Sequence, residues 1–95
     1  MAQFAVTYFD EVLEDDIPEI PVNIQNRIER AVRERLATYP EKYGERLRKS
    51  LLGLWKIRVG DYRIVYTLHH DTRSVKVWAI AHRRFVYALV LRRFA

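Results

Sequence analysis

The chain has 95 residues, of which 49% are hydrophobic and 13% aromatic, enough for one modest core in a single domain over residues 1–95 and too apolar for disorder. Its 17 Lys and Arg outnumber 12 Asp and Glu, giving +5 and favouring a polyanionic partner. It has no Cys, no apolar run of membrane-spanning length and no basic-then-apolar leader, which excludes a disulfide framework and a thiolate metal site and leads us to expect a soluble cytoplasmic protein.

Residues 3–9, Gln-Phe-Ala-Val-Thr-Tyr-Phe, are β-prone, and a first strand is expected with Phe4, Val6 and Tyr8 on one face. Residues 10–21 are acidic and contain Pro18 and Pro21, so at most one helical turn is expected before Pro18. A hard-cation site would need convergent oxygen ligands at a loop spacing that is missing here. The acids are expected instead at the N-terminal end of the next helix, where the dipole favours them. Over residues 22–38, Ile24, Ile28, Ala31, Val32, Arg35 and Leu36 recur at helical spacing, which predicts a helix with an apolar stripe toward the core. Pro21 suits its first position. Arg27, Arg30 and Arg33 interleave with Glu29 and Glu34 as a solvated face, with pairs such as Arg30–Glu34. Tyr39-Pro40 ends the helix near Thr38.

Residues 39–50 read as a connector, with Pro40 starting a short helical turn and Gly44 stopping it. Arg46, Arg48 and Lys49 lie just before the next element and extend its positive field. That element, residues 55–63, reads as a hairpin. Trp55, Ile57 and Val59 alternate with Lys56 and Arg58, and Gly60-Asp61 fits a type II′ turn. Such a turn sets Val59 opposite Tyr62, Arg58 opposite Arg63 and Lys56 opposite Val65. Lys56, Arg58 and Arg63 then share one face; Trp55, Ile57, Val59, Tyr62, Ile64 and Tyr66 share the other. Like charges facing each other across a ladder are unfavourable. Three cations with no carboxylate among them therefore point to a phosphate-bearing partner, the alternative being a solvated edge with splayed side chains.

Residues 70–74 are turn-type. Over 75–82 a last strand is expected, with Lys76, Trp78, Ile80 and His82 on one face and Val75, Val77, Ala79 and Ala81 on the other. Arg83 continues the second set toward Arg63, and Ala79 and Ala81 would leave room for a bound group. Residues 84–95 read as a short C-terminal helix, or as a segment ordered by a partner, because Leu89, Val90, Leu91 and Phe94 are too apolar for a free tail.

The chain has no Gly-rich phosphate loop, no metal-ligand spacing and no Ser/His/Asp set, so neither metal nor cofactor is expected. Lys56, Arg58, Arg63, Arg83 and Tyr87 remain. They suit RNA cleavage by attack of a ribose 2′-OH on the adjacent phosphate, which needs positive charge at the non-bridging oxygens, a proton acceptor and a proton donor. An aromatic such as Tyr87 can also stack on an unpaired base.

The run Leu-Arg-Lys-Ser-Leu-Leu-Gly-Leu-Trp-Lys-Ile-Arg-Val-Gly-Asp-Tyr-Arg-Ile-Val-Tyr (47–66), followed by Ile-Ala-His-Arg-Arg-Phe-Val-Tyr (80–87), resembles the RelE/ParE toxin superfamily across nearly the whole chain. The resemblance implies a small α+β domain: an antiparallel sheet of about four strands, N-terminal helices packed on it and a short C-terminal helix. It also implies a toxin held inactive by a cognate antitoxin. Its RelE branch implies a ribosome-dependent endonuclease cutting mRNA in the A site; its ParE branch implies a non-enzymatic gyrase poison.

Lys56, Arg58, Arg63, Arg83 and Tyr87 match the positions the RelE branch uses. Arg58 stands where that branch carries a second lysine, and an arginine keeps its proton, which leaves it as a charge clamp. Proton transfer then falls to Lys56 and Tyr87. Arg46, Arg48, Lys49, His82 and Arg84 are expected to hold ribosomal RNA, with His82 also a candidate for orienting the site. A catalytically silent antitoxin- or nucleic-acid-binding component is the third reading.

Overall fold

The computed structural model describes residues 3–94. The strands are β1 (Ala5–Tyr8), β2 (Glu45–Arg46), β3 (Trp55–Val59), β4 (Tyr62–His69) and β5 (Ser74–His82), in one sheet ordered β1-β5-β4-β3-β2. The expected α+β domain is present, with a two-residue fifth strand, β2, added at one edge. β1 lies parallel to β5, and the other neighbours are antiparallel. The helices are α1 (Val22–Ala31), continued by a wide π-type turn Val32–Leu36, then α2 (Pro40–Tyr43) and α3 (Val86–Phe94). Ala95, included in the expected C-terminal helix, lies outside the described residues. No helix among the described residues is long and apolar enough to cross a membrane.

The sheet carries an apolar layer on each side. On one side α1 contributes Ile28 and Ala31, and the turn after it Val32 and Leu36. They pack on Ile57, Val59, Ile64, Tyr66 and Ile80. On the other side Val86 and Val90 of α3 pack with Leu47 and Leu54 on Val65 and Ala79. Full burial of residues such as Ile57, Ile64 and Val65 stabilises the fold by about 1.5–3 kcal/mol each relative to exposure. Tyr66 is buried among them, and its hydroxyl donates to the Pro40 carbonyl at 2.7 Å. Gly44 is what lets that hydroxyl through: a side chain there would collide with it.

The hairpin forms as the sequence predicts. Gly60 has φ 59°, and Asp61 is absent from the positive-φ residues, as a type II′ turn requires. Three other expectations need correction. First, the acidic segment is helical well past one turn, through a π-type turn Val12–Asp16 and a 3-10 turn Ile17–Glu19, because Pro18 occupies the start of the second turn, where no N–H is needed. Its acids do not simply flank α1: Asp16 is buried and forms a bidentate pair with Arg93 of α3.

Second, the exposed ion pair along α1 is Glu29–Arg33 at 3.1 Å, and Arg30–Glu34 is not within pairing distance. Third, β5 does not alternate evenly. Val65 faces Ala79 while Tyr66 faces Val77, so Trp78 is an extra residue, a bulge. Val75 and Val77 thereby join Ile80 in the layer under α1, and of that set only Ala79 and Ala81 stay on the side of α3.

Candidate active site

The β3–β4 register sets Arg58 opposite Arg63 and Lys56 opposite Val65, as expected. β5 extends those two rows with Ala81 beside Arg63 and Ala79 beside Val65. α3 lies over the second row, so Ala79 is 0% exposed beneath Val86 and Val90 and leaves no room for a ligand. Only Ala81 stays partly open, which corrects the expected floor of two small residues.

The same helix carries Tyr87 onto Lys56. The Lys56 ammonium donates to the Tyr87 hydroxyl at 3.3 Å and lies 5.7 Å from the centroid of its ring. Both side chains are half-buried at the edge of the α3 layer. Lys56 is two residues along β3 from Arg58, about 7 Å, so the pair sits next to the arginines without merging with them.

The arginines gather at the Gly60–Asp61 turn. Arg63 is only 9% exposed, and its guanidinium donates to the carbonyls of Gly60 and Tyr62, each at 2.9 Å. Arg83 donates its backbone N–H to the Asp61 carbonyl at 2.8 Å, and its side-chain Nε lies 3.9 Å from the Asp61 carboxylate. Arg58 Nε lies 3.5 Å from the Glu45 carboxylate. The cluster is therefore not free of anions, as the sequence had implied. Both carboxylate pairs are solvent-exposed, hence worth about 0–1 kcal/mol, and a phosphate can displace either carboxylate.

Glu45, Asp61 and Arg27 are additions that sequence reasoning missed as site residues. Glu45 faces Lys56 across the β2–β3 ladder, but a two-residue strand has no periodicity to announce it. Arg27 of α1 reaches over the turn, its Nη1 3.2 Å from where a Cβ on Gly60 would stand, although helical spacing places it on a solvated face. Arg35 secures the local backbone by donating to the Arg58 carbonyl at 3.0 Å.

The remaining expected residues divide. His82 accepts the backbone N–H of Arg84 at Nδ1, 3.2 Å, and its ring packs 5.7 Å from Tyr62, so it shapes the turn that presents Arg83 and Arg84. Those arginines, His82 and Phe85 surround an open recess of about 350 Å³. Arg48 and Lys49 are exposed in the connector between β2 and β3. Arg46 is not brought to the cleft. It pairs with Trp55 across the ladder, on the opposite face from Lys56, and its guanidinium lies 5.1 Å from the Trp55 ring centroid. Among the described residues no group of His, Asp and Glu could hold a metal ion.

The arrangement offers an open row of cations able to take a phosphate and, beside it, a hydrogen-bonded amine and phenol able to carry protons. Residues 8–87 match the family model of the ParE toxin of the type II toxin–antitoxin system parDE. A toxin RelE of Mycobacterium tuberculosis is 32% identical over 74 residues, spanning 78% of this chain and 76% of that protein. Among solved structures, the toxin–antitoxin complex RelBE2 of M. tuberculosis superposes with a TM-score of 0.78 at 23% identity, covering 85% of this chain and 99% of the other. A mutant of E. coli toxin RelE in the free state gives a TM-score of 0.73 at 20% identity, covering 100% of both chains.

Proposed function

Because the chain belongs to the RelE/ParE superfamily of type II toxin–antitoxin toxins, we propose that it is a cytoplasmic endoribonuclease that cuts mRNA in the ribosomal A site. The observation that carries this reading is the 3.3 Å contact between Lys56 and Tyr87 beside Arg58, Arg63 and Arg83. Arg58 and Arg83 take the scissile phosphate and, with Arg63 behind them, stabilise the charge that grows on its non-bridging oxygens. Lys56 and Tyr87 form the proton pair: one accepts the 2′-OH proton, the other supplies the departing 5′-oxygen.

The open character of the cleft supports dependence on the ribosome. The Arg58 and Arg83 side chains are 61% and 60% exposed, so the chain alone does not enclose a substrate. A ribosome that holds the message in reactive geometry supplies the missing orientation. Arg84 beside the cleft, and Arg48 and Lys49 exposed in the connector between β2 and β3, bind ribosomal RNA in this reading. A cognate antitoxin keeps the toxin inactive. The apolar side chains that α3 and its approach leave in solvent, Phe85 at 65%, Leu91 at 44% and Phe94 at 48%, support a protein partner there.

The deciding experiment is cell-free translation with purified protein, mapping mRNA 5′ ends for the wild type and for Lys56→Ala/Arg83→Ala. Cuts at A-site codons that vanish without ribosomes and in the double variant are expected. Intact message with folded wild-type protein would sink the reading. The match to the ParE model favours one second reading, a non-enzymatic inhibitor of DNA gyrase. In that case wild type and Lys56→Ala block supercoiling equally.

A further inference from the structure

The end of the sheet remote from the Gly60 turn carries a second basic surface of different composition. There Lys42, Arg46 and Arg73 lie over aromatic rings. Lys42 Nζ is 5.9 Å from the Tyr39 ring centroid and 5.8 Å from that of Tyr43. The Arg46 guanidinium is 5.1 Å from Trp55, and that of Arg73 is 4.9 Å from Phe4. Lys56, Lys76 and Arg93 lie over rings elsewhere in the chain, so what distinguishes this pole is that Lys42, Arg46 and Arg73 border open recesses beside exposed tyrosine rings.

Two recesses open between these groups. One, of about 390 Å³, is bordered by Phe4, Tyr39 and Arg73; the other, of about 440 Å³, by Arg46 and Trp55. His70 lines both and makes them one surface. Tyr39 and Tyr43 are 46% and 47% exposed, so ring area is left for a ligand after the cation has taken its place. Glu41, 3.7 Å from His70, is the carboxylate lining the first of these recesses.

We propose that this pole binds unpaired nucleotides of ribosomal RNA, the exposed rings stacking on bases and Lys42, Arg46 and Arg73 taking phosphates. Stacking on aromatic rings within a positive field is how proteins hold single strands without reading their sequence. The inference rests on the ribosome-dependent reading above. β4 runs from Tyr62 at the cleft to His69 at this pole, about 23 Å. With the message at the cleft, the RNA within reach of the pole belongs to the ribosome. An acidic protein segment would pair the cations but leave the exposed tyrosine rings without bases to stack on, and a duplex would hide the base faces that the rings need.

The test measures binding without message, so it does not depend on cleavage. Wild type, Tyr39→Ala/Tyr43→Ala and Lys42→Gln/Arg73→Gln are titrated with vacant ribosomes, with a fluorescent unpaired 12-nucleotide RNA and with a 12-base-pair RNA duplex. The substituted side chains are exposed, and circular dichroism checks their fold. The ring variant is expected to bind ribosomes and unpaired RNA at least about fivefold more weakly, and the duplex within twofold of wild type. The charge variant is expected to flatten the log–log salt dependence on unpaired RNA by about 1.4, two phosphates' worth. Wild-type ribosome affinity in both variants would overturn the proposal, as would equal losses on duplex and unpaired RNA. A protein that cuts no message but loses ribosome binding with its rings leaves this inference standing and removes the nuclease reading; the converse removes only this one.

Discussion

Arg93 and Asp16, 77 residues apart, meet in a buried bidentate pair: Nη2 to Oδ1 is 2.7 Å, and Nη1 to Oδ2 is 2.9 Å. Each also binds the β5 bulge. Arg93 Nη1 donates to the Trp78 carbonyl at 2.8 Å, and Asp16 Oδ2 accepts the Ile80 N–H at 2.9 Å. A bulge leaves backbone groups without ladder partners, and this pair supplies them. It also fastens the far end of α3, the helix whose first turn holds Tyr87, to the N-terminal segment. Asp16 holds the Arg93 guanidinium above its already high pKa by hydrogen bonding, against a smaller opposing effect of burial, so the arginine keeps its charge at working pH.

Removing one partner strands the other as a buried charge. Arg93→Met or Asp16→Ala should each destabilise the protein by about 3–5 kcal/mol, and the double variant should cost less than the sum. Urea unfolding of the four proteins measures this. Additive losses would show that the two side chains stabilise separate features.

The hairpin was readable because its signal is local. Gly60-Asp61 fixes the turn, the turn fixes Arg58 opposite Arg63, and two-residue alternation assigns the faces. The bulge was not readable. Val75 to His82 looks like an unbroken alternation, and what makes Trp78 slip out of register is a contact from both ends of the chain, Asp16 and Arg93. Glu45 was hidden for a related reason: a strand of two residues is defined only by its partner β3. Lys56 was legible from the hairpin alternation and Tyr87 as a candidate aromatic, and resemblance gave them their proton roles; their contact depends on how α3 packs, which no spacing within residues 84–95 encodes.

Tyr66 gives a prediction in pH. Burial raises its pKa well above the ordinary tyrosine value of 10. Between the unfolded and folded pKa values the unfolded state binds fewer protons, so stability falls as pH rises above about 10 and is fully present below it. Chemical unfolding at pH 8, 10 and 11 should show that decline. Tyr66→Phe should flatten it and cost about 0.5–1.5 kcal/mol at neutral pH, because the Pro40 carbonyl loses one of its two donors and keeps the Gly44 N–H. An unchanged slope in the variant would assign the alkaline loss to other groups, Tyr8 first, whose pKa burial and Glu29 also raise.

Lys56 and Tyr87 should behave as a unit if they move protons together. Lys56→Ala and Tyr87→Phe should each lower the single-turnover rate on ribosome-bound message by about 100-fold or more, and the double variant should be little worse than either. Tyr87→Phe keeps the ring that α3 packs, so its fold serves as the control. Two multiplicative losses would indicate independent roles, such as phosphate contact for Lys56 and base stacking for Tyr87.

Glu45 tests what the carboxylates at the rim do. Its pair with Arg58 is exposed, 57% and 61% for the two side chains, so Glu45→Gln should change unfolding stability by less than about 0.5 kcal/mol. If Glu45 only restrains Arg58 until a phosphate arrives, the variant should bind RNA a few-fold more tightly at low salt, an advantage that shrinks as salt rises. Its cleavage rate on saturated ribosomes should stay near wild type. A rate loss approaching that of Lys56→Ala would instead give the carboxylate the proton-accepting role, since it faces Lys56 across the β2–β3 ladder, and would leave Tyr87 to orient the lysine.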